Sequence, residues 1–230
     1  MTKSVYTTRH APRYTRHPLS DSTCLVQLGD RIDPTVNRRV HALAALIEAS
    51  PLPGVVETVP AYATLLVHFD PLATDYASVA DWVSGLADRA AMDATRAPRR
   101  IQVPVRYGGE SGPDLGAVAA STGLSPAEVV RIHTGTEYTV YMMGFTPGFP
   151  YLGRLDPRLA VPRLETPRTL VKAGTVAIAG EQTGIYPLDS PGGWRLIGRT
   201  ALRLFDPASE TPFLFAPGDL VTFVAEAVDA

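Results

Sequence analysis

A chain of 230 residues has room for one large or two small domains, and 45% hydrophobic with 19% charged residues is ordinary for a soluble globular protein. The formal net charge is −2, but residues 1–20 hold Lys3, Arg9, Arg13 and Arg16 and no acid, which leaves about −6 for the rest. That balance excludes a basic nucleic-acid face, and no apolar run approaches the roughly 20 residues of a bilayer span.

Residues 1–18 read as a disordered basic tail. Their acid-poor composition is also that of an organellar transit peptide, but they lack an apolar face, and Pro12 and Pro18 interrupt any helix. No secretory apolar segment is present, and the single cysteine, Cys24, fits a reducing, cytoplasmic setting. Cys24 lies in the apolar run Thr23–Leu28 and reads as a small core residue rather than a nucleophile.

That run is the first strand, ended by Gly29-Asp30. Asp33-Pro34 supplies an N-cap and a first-turn proline for a helix through about Ala49, with Val36, Val40, Leu43, Leu46 and Ile47 at helical spacing. Val55–Val59 and Tyr62–Phe69 are strands, the second alternating Thr64/Leu66/His68 with Leu65/Val67/Phe69. A second helix spans about Tyr76–Met92, and Ile101–Val105 is a fourth strand. The order β-α-β-β-α-β is the split, ferredoxin-like arrangement, so an α/β domain is expected over residues 19–98, with a linker near Ala94–Arg100.

Residues 99–230 read differently. Two short helical patterns, Asp114–Thr122 and Ser125–His133, come first, and Ser125-Pro126-Ala127-Glu128 matches a capping box. From Tyr138 onward, short apolar runs are punctuated by Gly and Pro, which predicts a β-barrel or sandwich. Candidate strands are Tyr138–Met143, Thr175–Ala179, Trp194–Thr200, Leu202–Phe205 and Asp219–Phe223. The fold class is α+β, a ferredoxin-like βαββαβ domain followed by a β-rich domain.

Self-contained catalytic machinery is hard to find. The only lysines, Lys3 and Lys172, do not follow glycine, so no P-loop is present; GxGxxG, GxSxG, HExxH and CxxC are also missing. Five scattered histidines and one cysteine predict no metal site.

Several residues remain candidates. His133, at a predicted helix end, can exchange a proton with a substrate or simply interact with helix carbonyls. Gln182 and Thr183, in a Gly180–Gly184 turn, can orient a planar amide or carboxylate or stabilise the turn itself. Arg199, in an apolar strand after Gly198, must pair with a buried acid or clamp an anionic ligand. Trp194 and Tyr186 are core residues or pocket walls beside them, and Lys172 lies next to the same glycine-rich run. Phe145, Pro147, Phe149 and Tyr151 form a proline-stiffened aromatic loop suited to a protein partner.

The segments Gly144–Gly153, Gln182–Pro187 and Ser190–Trp194, with Pro18–Ser22 and Tyr107–Glu110, together resemble one known family. It is the family of allophanate hydrolase subunit 1, the 5-oxoprolinase B subunit, and the kinase inhibitor KipI. The resemblance runs from about Pro18 to Phe223 and implies a ferredoxin-like domain followed by a cyclophilin-like β-barrel. It further implies a hydrolase subunit, inactive alone, in an ATP-dependent 5-oxoprolinase that opens a cyclic amide. Its active site is shared with a related barrel protein, of the type of allophanate hydrolase subunit 2 or the 5-oxoprolinase C subunit. The 5-oxoprolinase A subunit takes part as a third component.

ATP with magnesium belongs to the complex, with no site identifiable in this chain, and no biotin, flavin or nicotinamide is expected. The resemblance raises His133 and Arg199 as catalytic residues and Gln182 and Thr183 as substrate contacts; Tyr186, Lys172 and Trp194 are added as substrate contacts by their place beside these. A KipI-like inhibitor of a sensor histidine kinase is the alternative. The family pattern has proline where this chain has Lys172.

Overall fold

Alternation of apolar and polar residues in the first third of the chain builds a sheet with one covered face. The computed structural model describes residues 14–90 and 98–229, and the chain divides into two units, 1–95 and 96–230.

The first unit holds β1 (Thr15–Ser20), β2 (Thr23–Gln27), α1 (Pro34–Ala49), β3 (Val55–Pro60), β4 (Thr64–Phe69) and α2 (Tyr76–Ala90). Its sheet is antiparallel throughout, in the order β1-β2-β4-β3. Leu65, Val67 and Phe69 are buried with Val40, Leu43 and Val83 of the helices, as the alternation predicts, and Cys24 is in the same core. Asp33 starts α1 by accepting from the Thr35 and Val36 amides at 2.8 and 3.2 Å. Buried Asn37 then fixes the helix by donating to the Ala61 and Tyr62 carbonyls at 3.1 and 3.2 Å.

Two expectations fail here. The element order of this unit is ββαββα, not βαββαβ, because the strand beside β2 is β1 and the predicted fourth strand, Ile101–Val105, belongs to the second unit. Residues 15–18, expected in the tail, are strand instead. Arg16 in β1 donates to the Ala80 carbonyl of α2 at 2.6 Å, and residues 1–13 lie outside the described residues. β1 escapes the periodicity because every one of its side chains is exposed, and Pro18 withholds an amide as only an edge strand tolerates.

The second unit holds β5 (Arg100–Gly108), α3 (Leu115–Thr122), α4 (Pro126–Thr134), β6 (Glu137–Met143), β7 (Pro150–Gly153), β8 (Arg168–Val171), β9 (Thr175–Ala179), β10 (Gln182–Ile185), β11 (Ser190–Gly192), β12 (Arg195–Arg199) and β13 (Leu220–Asp229). Seven strands close a barrel in the order β10-β7-β6-β13-β5-β12-β9, and β8 with β11 forms a separate ribbon. The β5–β13 pairing is parallel. Val105, Tyr107, Val140, Ile178, Ile185 and Phe223 are part of its buried core, to which α3 adds Val118 and α4 adds Val129 and Ile132.

The capping box at α4 is complete. The Glu128 carboxylate accepts from the Ser125 amide at 2.9 Å, and the Ser125 hydroxyl accepts from the Glu128 amide at 3.3 Å. The predicted strand Leu202–Phe205 does not form. The Leu202 amide turns back to the Thr200 hydroxyl at 3.2 Å, and Phe205 alone bridges to Phe213. Among the described residues no helix is long and apolar enough to cross a membrane.

Asp114, just before α3, joins three elements of this unit. One carboxylate oxygen accepts from the Leu196 amide and the other from the Arg168 guanidinium, both at 2.7 Å, while the Asp114 amide donates to the Leu196 carbonyl at 2.9 Å. Asp114→Ala leaves a buried amide and a half-buried guanidinium unpaired, so urea unfolding should show a loss of about 2–4 kcal/mol. A loss below about 0.5 kcal/mol would show that Asp114 does not tie these elements together.

Candidate functional site

The barrel interior takes two of the predicted site residues out of reach. His133 of α4 is fully buried, its ring 4.4 Å from that of Phe223. Its Nδ1 lies 2.7 Å from the Tyr107 hydroxyl and its Nε2 lies 3.0 Å from the Thr183 hydroxyl. Thr183, also fully buried, donates to the Ala177 carbonyl at 3.0 Å, so its oxygen accepts from Nε2–H. Nδ1 then accepts from Tyr107, which assigns a neutral imidazole with every polar atom satisfied. Burial lowers the His133 pKa to about 3 and raises that of the Tyr107 phenol. The expected proton exchange by His133 and substrate contact by Thr183 therefore give way to a structural hydrogen-bond chain. The Gly180–Gly184 segment is not a free turn either: Gln182 already pairs with Ala179 in the β9–β10 ladder and is half-buried.

Strand alternation places a second cluster on the other face of these strands. Phe149, Tyr186 and Trp194 are buried, with Ala177 and Leu196 beneath them and half-buried Tyr151 against them. Phe149 is the hub, its ring 4.9 Å from Tyr151, 5.2 Å from Tyr186 and 5.6 Å from Trp194. Two glycines are demanded by these contacts. A Cβ on Gly184 would come 2.8 Å from the Phe149 ring, and one on Gly192 would come 2.3 Å from the Tyr186 hydroxyl. Tyr186 and Trp194 are thus framework.

Within the predicted partner-facing loop, Phe149 is support, while Phe145 and Pro147 are exposed. Phe145 is held at φ 66°, the positive-φ non-glycine residue among the described residues, with 62% of its surface exposed. A bulky side chain in that region is strained and needs surrounding structure to hold it, here an edge contact with Phe149 at 5.7 Å.

Of the remaining candidates, Arg199 lines an open cleft of about 870 Å³ together with Arg106, Arg203, Glu226, Leu188 and Phe205, among others, while Lys172 only neighbours the lining residue Ala173. Lys172 donates to Asp189 at 2.8 Å, and Asp189 also accepts from the Ala173 amide at 2.8 Å. The Lys172 hydrogen bond leads in holding the Asp189 carboxyl below its usual range. Arg199 Nε donates to the Ala173 carbonyl at 3.0 Å, which orients its guanidinium at the cleft. The aromatic loop abuts the same cleft, since a Cβ on Gly148 would lie 3.0 Å from Phe205 and 3.5 Å from Pro187, both lining residues.

Arg106, Arg203 and Glu226 escaped the sequence reading, although Arg106 stands out as the one charge in the apolar run Val103–Tyr107. Three guanidinia against one carboxylate suit the oxygens of an anion. The same lining does not fit magnesium, and among the described residues no group of three or more His, Cys, Asp or Glu gathers.

Residues 14–215 match the family described as carboxyltransferase domain, subdomain C and D. The chain is 45% identical to the 5-oxoprolinase B subunit from Bacillus subtilis (strain 168) over 222 residues, covering 92% of each. Among solved structures it is similar to TTHA0988 with a TM-score of 0.78 and 40% identity, over 88% of this chain and 39% of that one. The fold also recurs in the urea amidolyase of K. lactis, with a TM-score of 0.78 and 21% identity over 93% of this chain and 15% of that one.

The neutral state of His133 has a measurable consequence. Above pH 6.5 the folded and unfolded states both carry it uncharged, and its full contribution to stability is present. As pH falls below 6.5, the unfolded chain takes up a proton that the folded chain refuses until about 3. Stability should therefore fall by up to about 1.4 kcal/mol per pH unit from this group. Urea unfolding between about pH 7.5 and 4.5 should show a shallower loss for His133→Gln than for the wild type. Equal slopes would contradict a neutral, sealed imidazole.

Proposed function

Because the chain belongs to the family of carboxyltransferase subdomains C and D, we propose that it is the B-type subunit of an ATP-dependent 5-oxoprolinase. The observation that carries this reading is its likeness, along nearly the whole of both chains, to a 5-oxoprolinase B subunit. The reaction adds water across the cyclic amide of 5-oxo-L-proline, breaking the C–N bond to give L-glutamate, and ATP hydrolysis drives it. In this reading the first unit is a variant of the ferredoxin-like sheet, with β1 in the place of its last strand, and the barrel is cyclophilin-like.

The cleft is this chain's half of the site. Its guanidinia hold the anionic end of the substrate, and the oriented Arg199 is the residue placed to touch it. The other half comes from a partner barrel protein, with a third component completing the enzyme and ATP with magnesium acting at the level of the complex. Two features support a composite site. The fold makes up 39% of TTHA0988 and 15% of the urea amidolyase, so it is found built into longer chains. The strained, exposed Phe145 stands beside the cleft as a low-entropy contact for such a partner.

The test is reconstitution with the two other subunits, measuring ATP-dependent release of glutamate from 5-oxoproline. The complex should be active and the isolated chain silent, and Arg199→Ala should lower kcat/KM about tenfold or more. Phe145→Ala should weaken association with the partner while leaving the isolated chain as stable as the wild type. An unchanged rate for Arg199→Ala would remove the cleft from the site. Faster consumption of allophanate than of 5-oxoproline would reassign the substrate. Block of a sensor kinase's autophosphorylation by the isolated chain, with no activity in the complex, would establish the inhibitor reading instead.

A further inference from the structure

The barrel opposes two like charges across one ladder. Arg199 of β12 pairs directly with Arg106 of β5, and both side chains are exposed and line the cleft. Directly opposed residues have Cβ atoms about 4.5–5.5 Å apart, where like charges weaken a sheet. Neither guanidinium has a carboxylate within ion-pair distance among the described residues. Asp189 senses the Arg199 charge only from farther off, while its own hydrogen bonds go to Lys172 and the Ala173 amide.

Arg203, on the same cleft, spends one nitrogen on Asp206 at 3.0 Å and keeps further N–H donors. Glu226, the one carboxylate of the lining, lies where the β13 register slips between Ala225 and Ala227. Gly174 completes the wall at φ 82°; a Cβ there would strike the Thr200 carbonyl at 2.2 Å and lie 3.6 Å from Arg199 Cγ. The glycine lets the Thr200 backbone pack against it, and the Gly174 carbonyl accepts from the Thr200 amide at 2.9 Å.

We propose that Arg106 and Arg199 form a two-armed clamp for an oxyanion, a carboxylate or a phosphoryl group, with Arg203 as its third donor. Two planar forks side by side match the oxygens of one such group, and bound anion relieves the repulsion that the empty ladder carries. The clamp stands on the register of β5 and β12. Its ligand, the carboxylate of 5-oxoproline or glutamate or the phosphoryl group released from ATP, rests on the 5-oxoprolinase reading.

The experiment uses the full chain at low ionic strength. Calorimetric titrations and thermal melts compare inorganic phosphate, 5-oxo-L-proline and L-glutamate with sodium chloride at matched ionic strength. At least one oxyanion should bind and raise the melting temperature beyond chloride. Arg106→Gln and Arg199→Gln should each weaken that binding about tenfold or more. Without ligand, Arg106→Gln should melt at or above the wild type, because it removes a repulsion without removing a hydrogen bond.

Preference for phosphate identifies a phosphoryl site, and preference for 5-oxoproline or glutamate identifies a carboxylate site; each supports the clamp. No oxyanion exceeding chloride, or both variants binding as the wild type does, overturns it. A lower melting temperature for unliganded Arg106→Gln also overturns it, since the pair would then stabilise the sheet. No activity is read, so failure here leaves the enzymatic reading standing. A complex inactive on 5-oxoproline leaves the clamp standing.

Discussion

The parallel pairing of β5 with β13 is the constraint on which the second unit depends. It joins the first strand of that unit to its last, so no local turn can form it, and it closes the seven-stranded barrel. Closure forces strict alternation: Val105 and Tyr107 enter the core while Arg106 between them stays outside. It also sets β12 beside β5, which brings Arg199 opposite Arg106, and carries Glu226 of β13 to the same cleft. The cationic lining is therefore a product of topology. Arg106 lies about a hundred residues of chain before its other members and joins them only when the ladder registers are set.

A buried polar chain refines the core that this closure creates. Tyr107, His133 and Thr183 come from β5, α4 and β10, and each satisfies the next. An unpaired group there would cost more than the hydrogen bond it replaces, so the chain selects one arrangement of helix against barrel. The same desolvation that keeps His133 neutral removes it from chemistry. A histidine at a helix end next to a glycine-rich site looks catalytic in one dimension and is packing in three.

On the outer face, the aromatic cluster explains the glycine and proline punctuation. Gly184 and Gly192 are flat because Phe149 and Tyr186 lie against them, and Phe149 in turn supports the strained Phe145 at the surface. The loop that read as a partner surface is thus half foundation and half contact. Only Phe145 and Pro147 of the four named residues are exposed.

Local patterns in the amino-acid sequence determined both helices of the first unit, the α4 capping box, the central β2–β4 alternation and the presence of a β-rich second half. Each of these rests on interactions within a few residues. Short strands such as β8, β10 and β11, of four residues or fewer, carry too little periodicity to be seen. The placement of Ile101–Val105 was decided only by tertiary structure, because a strand's partner is chosen by long-range pairing that its own residues do not record. Edge strand β1 took the position expected for it, and the barrel claimed it instead. The same holds for the site. Sequence identified Arg199 as a charge in need of a partner, and only the fold decided that what stands beside it, across one ladder on the lining of an open cleft, is another arginine.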